Sequence, residues 1–537
     1  MTSKLAVPGP SGEKTTDTTD TTTAGRGKRP RPPFGVSVVS IIAVLITLFS
    51  LVPLAYVVFM TASTGWDTAA ALIIRPRVGE LLLNTVLLTV VTVPLCLVLG
   101  VGGAWLVERT NLVGRKWWAV LLAAPLAIPA FVNSYAWVSA VPSLGGLWSG
   151  VLIATLSYFP LVYIPAAATL SRLDPAIEQS AASLGLGAWR AFFRVVLPQL
   201  RIAMTGGGLL VALHLLAEYG AFAMIRFDTF TTAIMVQYQS TFNGTAGNML
   251  ASVLVFLCLI LLLVEVRSRG SARYARIGSG AQARALRLPL HAYQFPAQLS
   301  LFALTGLAFG LPLTFVLRWI VAGGPEIWAA EEFMPALLQT LAYGLAAAVV
   351  TTVVAFPMAY LAVRRPGWFS KSLELSNYIT SSMPGIVVGL AFVTVSIRMA
   401  PSLYQTSALL IAAYVLLFLP RALVNIRSGL SQAPKELDEA AQVLGKPPLL
   451  AFLRVTLRLT APAAAGGAAL VFLGIVNELT ATLLLSPNGT RTLATEFWSK
   501  ASEIDYAGAA PYALLMILIS APMTYLLFQQ SKKVAGQ

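Results

Sequence analysis

Apolar runs long enough to cross a bilayer recur along this chain and leave it essentially one kind of fold. The hydrocarbon layer is about 30 Å thick, so a helix needs about 20 residues to cross it. Uncharged runs of that order lie near 38–60, 81–107, 117–141, 147–171, 202–225 and 247–265, and again near 297–320, 335–363, 374–397, 403–424, 460–485 and 507–529. A helix satisfies its own backbone within the run, which lipid demands. The expected fold is therefore all-α, a polytopic membrane protein with about 12 transmembrane helices. Composition excludes a soluble body, because 57% of the residues are hydrophobic and only 11% charged, against about 25% charged in an ordinary soluble domain. The uncharged stretch 117–171 is too long for one helix, and the turn residues Pro142-Ser143-Leu144-Gly145-Gly146 divide it. The first run exceeds the core of a cleaved leader and reads as a retained span.

The chain carries 37 Lys and Arg against 22 Asp and Glu, a net charge of +15. In a soluble protein such an excess suggests a nucleic-acid partner, but here its placement follows topology. With a cytoplasmic N-terminus, 30 of the 37 basic residues fall on the two tails and on the segments 109–116, 172–201, 267–287, 364–371 and 421–458, all on one side. That asymmetry is the positive-inside pattern and places both termini in the cytoplasm. The expected organisation is a disordered basic tail over 1–33, a first membrane domain over 34–266, a basic linker over 267–296, a second membrane domain over 297–531 and a short tail over 532–537. Cys96 and Cys258 lie inside apolar runs and form neither a disulfide framework nor a metal cluster.

The two domains repeat each other. Pro160, Gly185, Arg194, Gly206, Gly207 and Glu218 recur 260 residues later as Pro420, Gly445, Arg454, Gly466, Gly467 and Glu478. Earlier in the repeat the offset is 255, relating Thr85, Arg109 and Pro129 to Thr340, Arg364 and Pro384. An even number of spans per half makes the repeats parallel, six helices each, with a natural pathway between them.

The segment between the fourth and fifth span of each half carries the most specific pattern. Asp174-Pro175 is a helix start, a capping carboxylate followed by proline, and Pro434 does the same in the second half. Gly185 and Gly445 end these short helices as left-handed caps. A second helical segment follows, with Trp189, Phe192, Phe193 and Val196 on one face, matched by Leu449, Phe452 and Leu453. For one such loop, a helix resting on headgroups is an adequate reading. Duplication at the same topological place favours a knob that docks into a groove on a cytoplasmic partner.

With these loops the chain resembles the membrane subunits of ABC importers. Their loop motif is Glu-Ala-Ala, three residues, then Gly, with Leu-Pro about twelve residues further. The second half matches as Glu439-Ala440-Ala441…Gly445, and the first reads Gln179-Ser180-Ala181…Gly185 with Glu178 next to it. Leu197-Pro198 is present in the first half and becomes Leu457-Arg458 in the second. The resemblance covers nearly the whole chain twice over. It implies the type I importer permease fold, with both permease domains fused, in a bacterial inner membrane. It also implies two separate ATPase subunits docking on Asp174, Glu178, Gln179, Ala181, Gly185, Trp189 and Arg194, and on Glu439, Ala440, Ala441, Gly445 and Arg454. The sequence has no Gly-x4-Gly-Lys-Ser/Thr phosphate loop and no nucleophile–base set. The chain is accordingly not expected to be an enzyme or to bind a cofactor, and ATP and magnesium belong to the partners.

Charge inside the spans is the second signal. Glu218 and Glu478 occupy equivalent places in the fifth span of each half, where a carboxylate facing lipid costs roughly 2.5 kcal/mol or more. They face the interior, either lining the pathway for a cation or accepting hydrogen bonds that fix helix packing. His214, one turn before Glu218, is placed to touch it, and Gly474 stands at the equivalent position. The small-residue pairs Gly146/Gly150, Gly306/Gly310 and Gly385/Gly389 are assigned to close helix packing. The segments 224–246 and 486–506 are expected to be external loops long enough to contact a soluble partner, and the resemblance implies that they receive a substrate-binding protein, although loop solvation alone also explains their polar content.

Among permeases of this type, fusion of both domains resembles the ferric-iron and thiamine groups. The stretch Ala217-Glu218-Tyr219-Gly220-Ala221, followed by Arg226-Phe227-Asp228-Thr229, is similar to the ferric-iron group. Glu218, Tyr219 and Glu478 offer a hard Fe³⁺ ion transient oxygen ligands without a permanent metal site. Cationic thiamine is the alternative cargo. A proton-coupled secondary transporter is the alternative class, with Gly114-Arg115-Lys116 as its one matching fragment.

Overall fold

The structure is a computed structural model that describes residues 35–173, 178, 180–181, 183–241, 243–269 and 287–534. The basic tail, Asp174, Gln179, the middle of the linker and the last three residues lie outside the described residues. Among the described residues no strand forms, and an isolated bridge pairs Thr110 with Leu288. Among the described residues eight continuous helices are long and apolar enough to cross a membrane: Pro76–Arg109, Gly146–Leu170, Gly244–Ser268, His291–Gly323, Phe333–Arg364, Ser407–Gln432, Pro448–Val476 and Tyr506–Leu526. Four bent pairs supply the rest, Val38–Ser50 with Val52–Ser63, Arg115–Ala127 with Ala130–Ala140, Trp189–Gln199 with Arg201–Ala217, and Trp368–Ser381 with Gly385–Met399. Counting each pair as one span gives twelve, numbered 1 to 12 in chain order.

The expected spans thus exist, but four are broken rather than straight. Spans 3 and 9 bend by 92° and 99° at Pro129 and Pro384, which the 255-residue offset relates. Proline lacks the N–H that would continue the ladder and pushes its preceding residue out of the helical region, where Ile128 is extended. Span 5 bends by 67° beyond Pro198, whereas its partner, span 11, has Arg458 there and runs on unbroken over Pro448–Val476.

Each half is built on three mutually packed helices, spans 2, 4 and 5 in the first and spans 8, 10 and 11 in the second. Small residues let them approach, since lipid offers no hydrophobic drive between helices. A methyl at Gly207 would lie 3.0 Å from the Val162 Cα, and one at Gly467 3.0 Å from the Asn425 Cβ. Gly150 and Gly389 make similar close contacts with Phe227 and Leu484. Gly306 faces open space in a π-helical turn, Gly306–Gly310, so that pair is not a packing motif.

The first span of each half embraces the opposite half. Span 1 packs on spans 8 and 9, with Phe49 stacked on Phe392 at 5.6 Å between ring centroids, while span 7 packs on span 3. At the junction Tyr135 donates a hydrogen bond to the Tyr506 carbonyl and its ring lies 5.2 Å from that of Phe497.

Candidate functional site

Two duplicated features form the site, an elbow at one end of each half and a carboxylate deep between them. Gly185 and Gly445 both have φ +81°, the left-handed conformation that glycine adopts at little cost. Each elbow is closed by the same bond, Leu186 N–H to the Ala181 carbonyl and Lys446 N–H to the Ala441 carbonyl, both 3.1 Å. In the second half Pro434 is the extended residue just before the helix Lys435–Val443, and its side chain makes no capping bond. The elbow tips expose apolar side chains, Leu184 at 83% and Leu444 at 80%, flanked by Trp189 and by Val443 and Leu449. Glu439, Ala440, Arg194 and Arg454 are exposed on the same elements, and Ala181 is buried. Trp189 also stacks on Trp105 at 5.9 Å.

Each elbow is tied to the body of its half by a buried arginine at the end of its second span. Arg109, 2% exposed, reaches Glu178 at 3.2 Å, and Arg364, 7% exposed, reaches Asp438 at 3.3 Å. Glu178, expected to serve docking, is therefore turned inward. Asp438, which the sequence reading passed over, is its equivalent at the 260-residue offset and accepts a further hydrogen bond from Thr456. Beyond each elbow the chain makes a π-helical turn, at Phe192–Val196 and again at Phe452–Thr456, the same residues of the repeat. Such turns are rare and concentrate at functional places.

The fifth span does not run straight to residue 225 as expected, nor the eleventh to 485. Their helices end at Ala217 and Val476, Glu218 is extended, and the short helices Gly220–Met224 and Thr480–Leu485 follow. A helix start has unpaired N–H groups, and inside a membrane an acceptor must come from the protein. Glu218 Oε1 accepts the Ala221 N–H at 2.8 Å and Glu478 Oε1 the Ala481 N–H at 2.7 Å. Both carboxylates are half-buried and lie within electrostatic reach of each other across the two halves.

Their second partners differ. Tyr158 donates a 2.6 Å hydrogen bond to Glu218 Oε2, whereas Phe418 occupies the equivalent position in the second half. The expected contact of His214 with Glu218 is not the one formed. Tyr158 takes the carboxylate, and His214 Nδ1 lies 2.8 Å from the Leu210 carbonyl with its ring against Tyr158. Tyr219 is buried against Trp498, with ring centroids 5.2 Å apart. Arg421, assigned from sequence to a cytoplasmic segment, lies inside the helix Ser407–Gln432, 4.9 Å over the Phe418 ring. Neither Tyr158 nor Arg421 is marked by the repeat, because each is paired with an unlike residue. Among the described residues no group of three His, Cys, Asp or Glu is placed to hold a metal ion.

The two long segments expected to be external loops are largely helical. Phe230–Gln239 and Leu493–Ser502 each start at a threonine cap, Thr229 and Thr492, and bury Phe230, Ile234, Leu493 and Phe497. What they leave at the surface includes Arg226 and Asp228, the latter 2.7 Å from Arg77, and Arg491, 3.1 Å from Glu332.

Residues 352–535 match the family of binding-protein-dependent transport system inner membrane components. The Fe(3+)-transport system permease protein FbpB 2 of Haemophilus influenzae is 34% identical over 88% of this chain and 94% of its own length. The ferric transport system permease protein FbpB of Actinobacillus pleuropneumoniae is 22% identical over 69% of this chain and 57% of its own. The sulfate transport system permease protein CysW of Escherichia coli is 26% identical over 39% of this chain and 79% of its own.

Proposed function

Because the chain belongs to the family of binding-protein-dependent inner-membrane permeases, within its ferric-transport group, we propose that it is the translocation subunit of an importer for ferric iron, with both permease domains fused. Two ATPase subunits dock on the elbows around Gly185 and Gly445, and an external binding protein delivers the ion. ATP and magnesium stay on the ATPases, and this chain carries no catalytic step. Both termini face the cytoplasm, as the basic segments suggest.

The observation that carries this reading is the duplicated elbow. Its two copies share the left-handed glycine conformation, expose apolar side chains at their tips, and are each fastened by a buried arginine. An exposed apolar tip on a rigid mount is what a docking helix needs, since a mount that gave way would transmit no displacement. Ion pairing at the mount leaves the tip free for a partner groove.

Between the halves, Glu218 and Glu478 offer carboxylate oxygens to a hard cation passing along the pathway, without enough ligands to trap it. Their hydrogen bonds to helix N-termini position them, so one group serves both packing and passage. Tyr158 orients one of the two. The docking claim is tested by purifying the chain with its ATPase subunits. Expected is a complex that dissolves when Leu184 and Leu444 are both changed to Asp, and uptake that stops when the ATPases are deleted. Uptake surviving that deletion contradicts it.

A further inference from the structure

Two layers of charge cross the space between the halves, and a simple cation route accounts for only the first. Glu218 and Glu478 form it. One helical turn back along the same helices, toward the elbows, stand His214 and Gly474. The guanidinium of Arg421 lies over Gly474, where an added Cβ would come within 2.5 Å of its Nη1. Arg421 reaches that place from span 10, its charge over the Phe418 ring. It is attracted by Glu478, yet among the described residues it makes no direct ion pair, and it keeps an exposed surface inside the bundle. Further toward the elbows a cavity of about 550 Å³ opens between spans 4 and 5 and Tyr378 of span 9. Leu210, whose carbonyl holds His214, is part of its wall.

A guanidinium stays charged in any such surroundings. A purely structural arginine in a membrane would close on the nearest carboxylate, because an unpaired charge there is costly. Arg421 is instead held by its flat face, which leaves its charge directed at the open space. The arrangement is one-sided: Leu161 and Tyr158 occupy the positions equivalent to Arg421 and Phe418, and only the second half has a glycine where the guanidinium lies. We propose that Arg421 is an electrostatic barrier, a fixed positive charge on the elbow side of the carboxylate pair that holds back a metal cation until the two halves rearrange. Fixed positive groups exclude cations from pores in this way. A cation drawn to Glu218 and Glu478 meets repulsion that grows with its own charge if it moves on alone. The proposal rests on the reading of the chain as a metal-ion permease.

The test uses the complete importer, with its ATPases and binding protein, in vesicles loaded with dipicolinate. Terbium(III) added outside serves as a hard trivalent probe, and its luminescence reports influx in the absence of ATP. Arg421→Gln is expected to raise that influx at least tenfold, while Arg421→Lys, which keeps the charge, stays at the wild-type rate. Adding Glu478→Gln to Arg421→Gln is expected to lower influx again, because the attracting carboxylate is gone. Gly474→Ala, which displaces the guanidinium without removing it, is a second variant expected to leak. Wild-type influx in both Arg421→Gln and Gly474→Ala, in complexes whose ATP hydrolysis shows them assembled, overturns the barrier. ATP-driven ferric-ion uptake by the wild type tests the permease reading separately, so either can fail alone.

Discussion

The hydroxyl of Tyr158 is 2.6 Å from the carboxylate of Glu218, on two different spans of the same half, and among the described residues no side-chain hydroxyl donates to the Glu478 carboxylate, where the residue equivalent to Tyr158 is Phe418. The two carboxylates at the centre of a repeat are thus held differently. Removing the hydroxyl in Tyr158→Phe leaves Glu218 Oε2 without this donor and is expected to cost about 1–3 kcal/mol. Lowered thermal stability in detergent, together with a weakened uptake rate, checks this, and Phe418→Tyr should have no comparable effect.

The paired substitutions Glu218→Gln and Glu478→Gln keep a carbonyl to accept the Ala221 and Ala481 N–H groups but remove both charges. Assembly is expected to persist while uptake falls steeply. Size-exclusion profiles and initial uptake rates, measured on the same preparation, separate the capping role from the pathway role. Unchanged uptake kinetics would remove the pair from the pathway.

Breaking one buried ion pair at the mounts, as in Arg364→Met, leaves Asp438 in a low-dielectric place and is expected to cost roughly 3–5 kcal/mol. Asp438→Asn alone strands the guanidinium instead. The double variant should recover most of the stability, since a buried pair can often be replaced by uncharged groups with little loss. Melting temperatures of the four proteins form the double-mutant cycle that checks it. Arg109 and Glu178 are expected to behave alike.

Gly445→Ala forces a side chain into the left-handed region at φ +81°, a strain of about 1–2 kcal/mol. The elbow is exposed and far from the core, so global stability should change little. Co-purification of the ATPase should weaken, and Gly185→Ala combined with it should weaken it further. Gly187→Ala serves as a control, because that glycine has open space around it and no positive φ.

Much of this architecture is legible in the residues alone, for physical reasons. Span length, the basic segments and the two offsets follow from what lipid demands of backbone and charge, and they locate Gly185, Gly445, Glu218 and Glu478. What they miss depends on contacts distant in sequence. Pro129 and Pro384 are visible as a repeat, but the right-angle bends they produce depend on how each limb packs. Arg421 is hidden because an arginine at the end of an apolar run reads as the start of a loop, while the helix in fact continues to Gln432. The inward turn of Glu178 is hidden because its partner, Arg109, lies 69 residues earlier in the chain.

The most direct test of the account is uptake of labelled ferric ion and of labelled thiamine in a strain from which this chain has been deleted, then restored. The account predicts that ferric-ion uptake delivered by the binding protein is lost on deletion and returns with the wild-type chain but not with Glu218→Gln/Glu478→Gln, while thiamine uptake is unaffected throughout. Ferric-ion uptake that is indifferent to the chain, with thiamine uptake following it instead, would contradict the account.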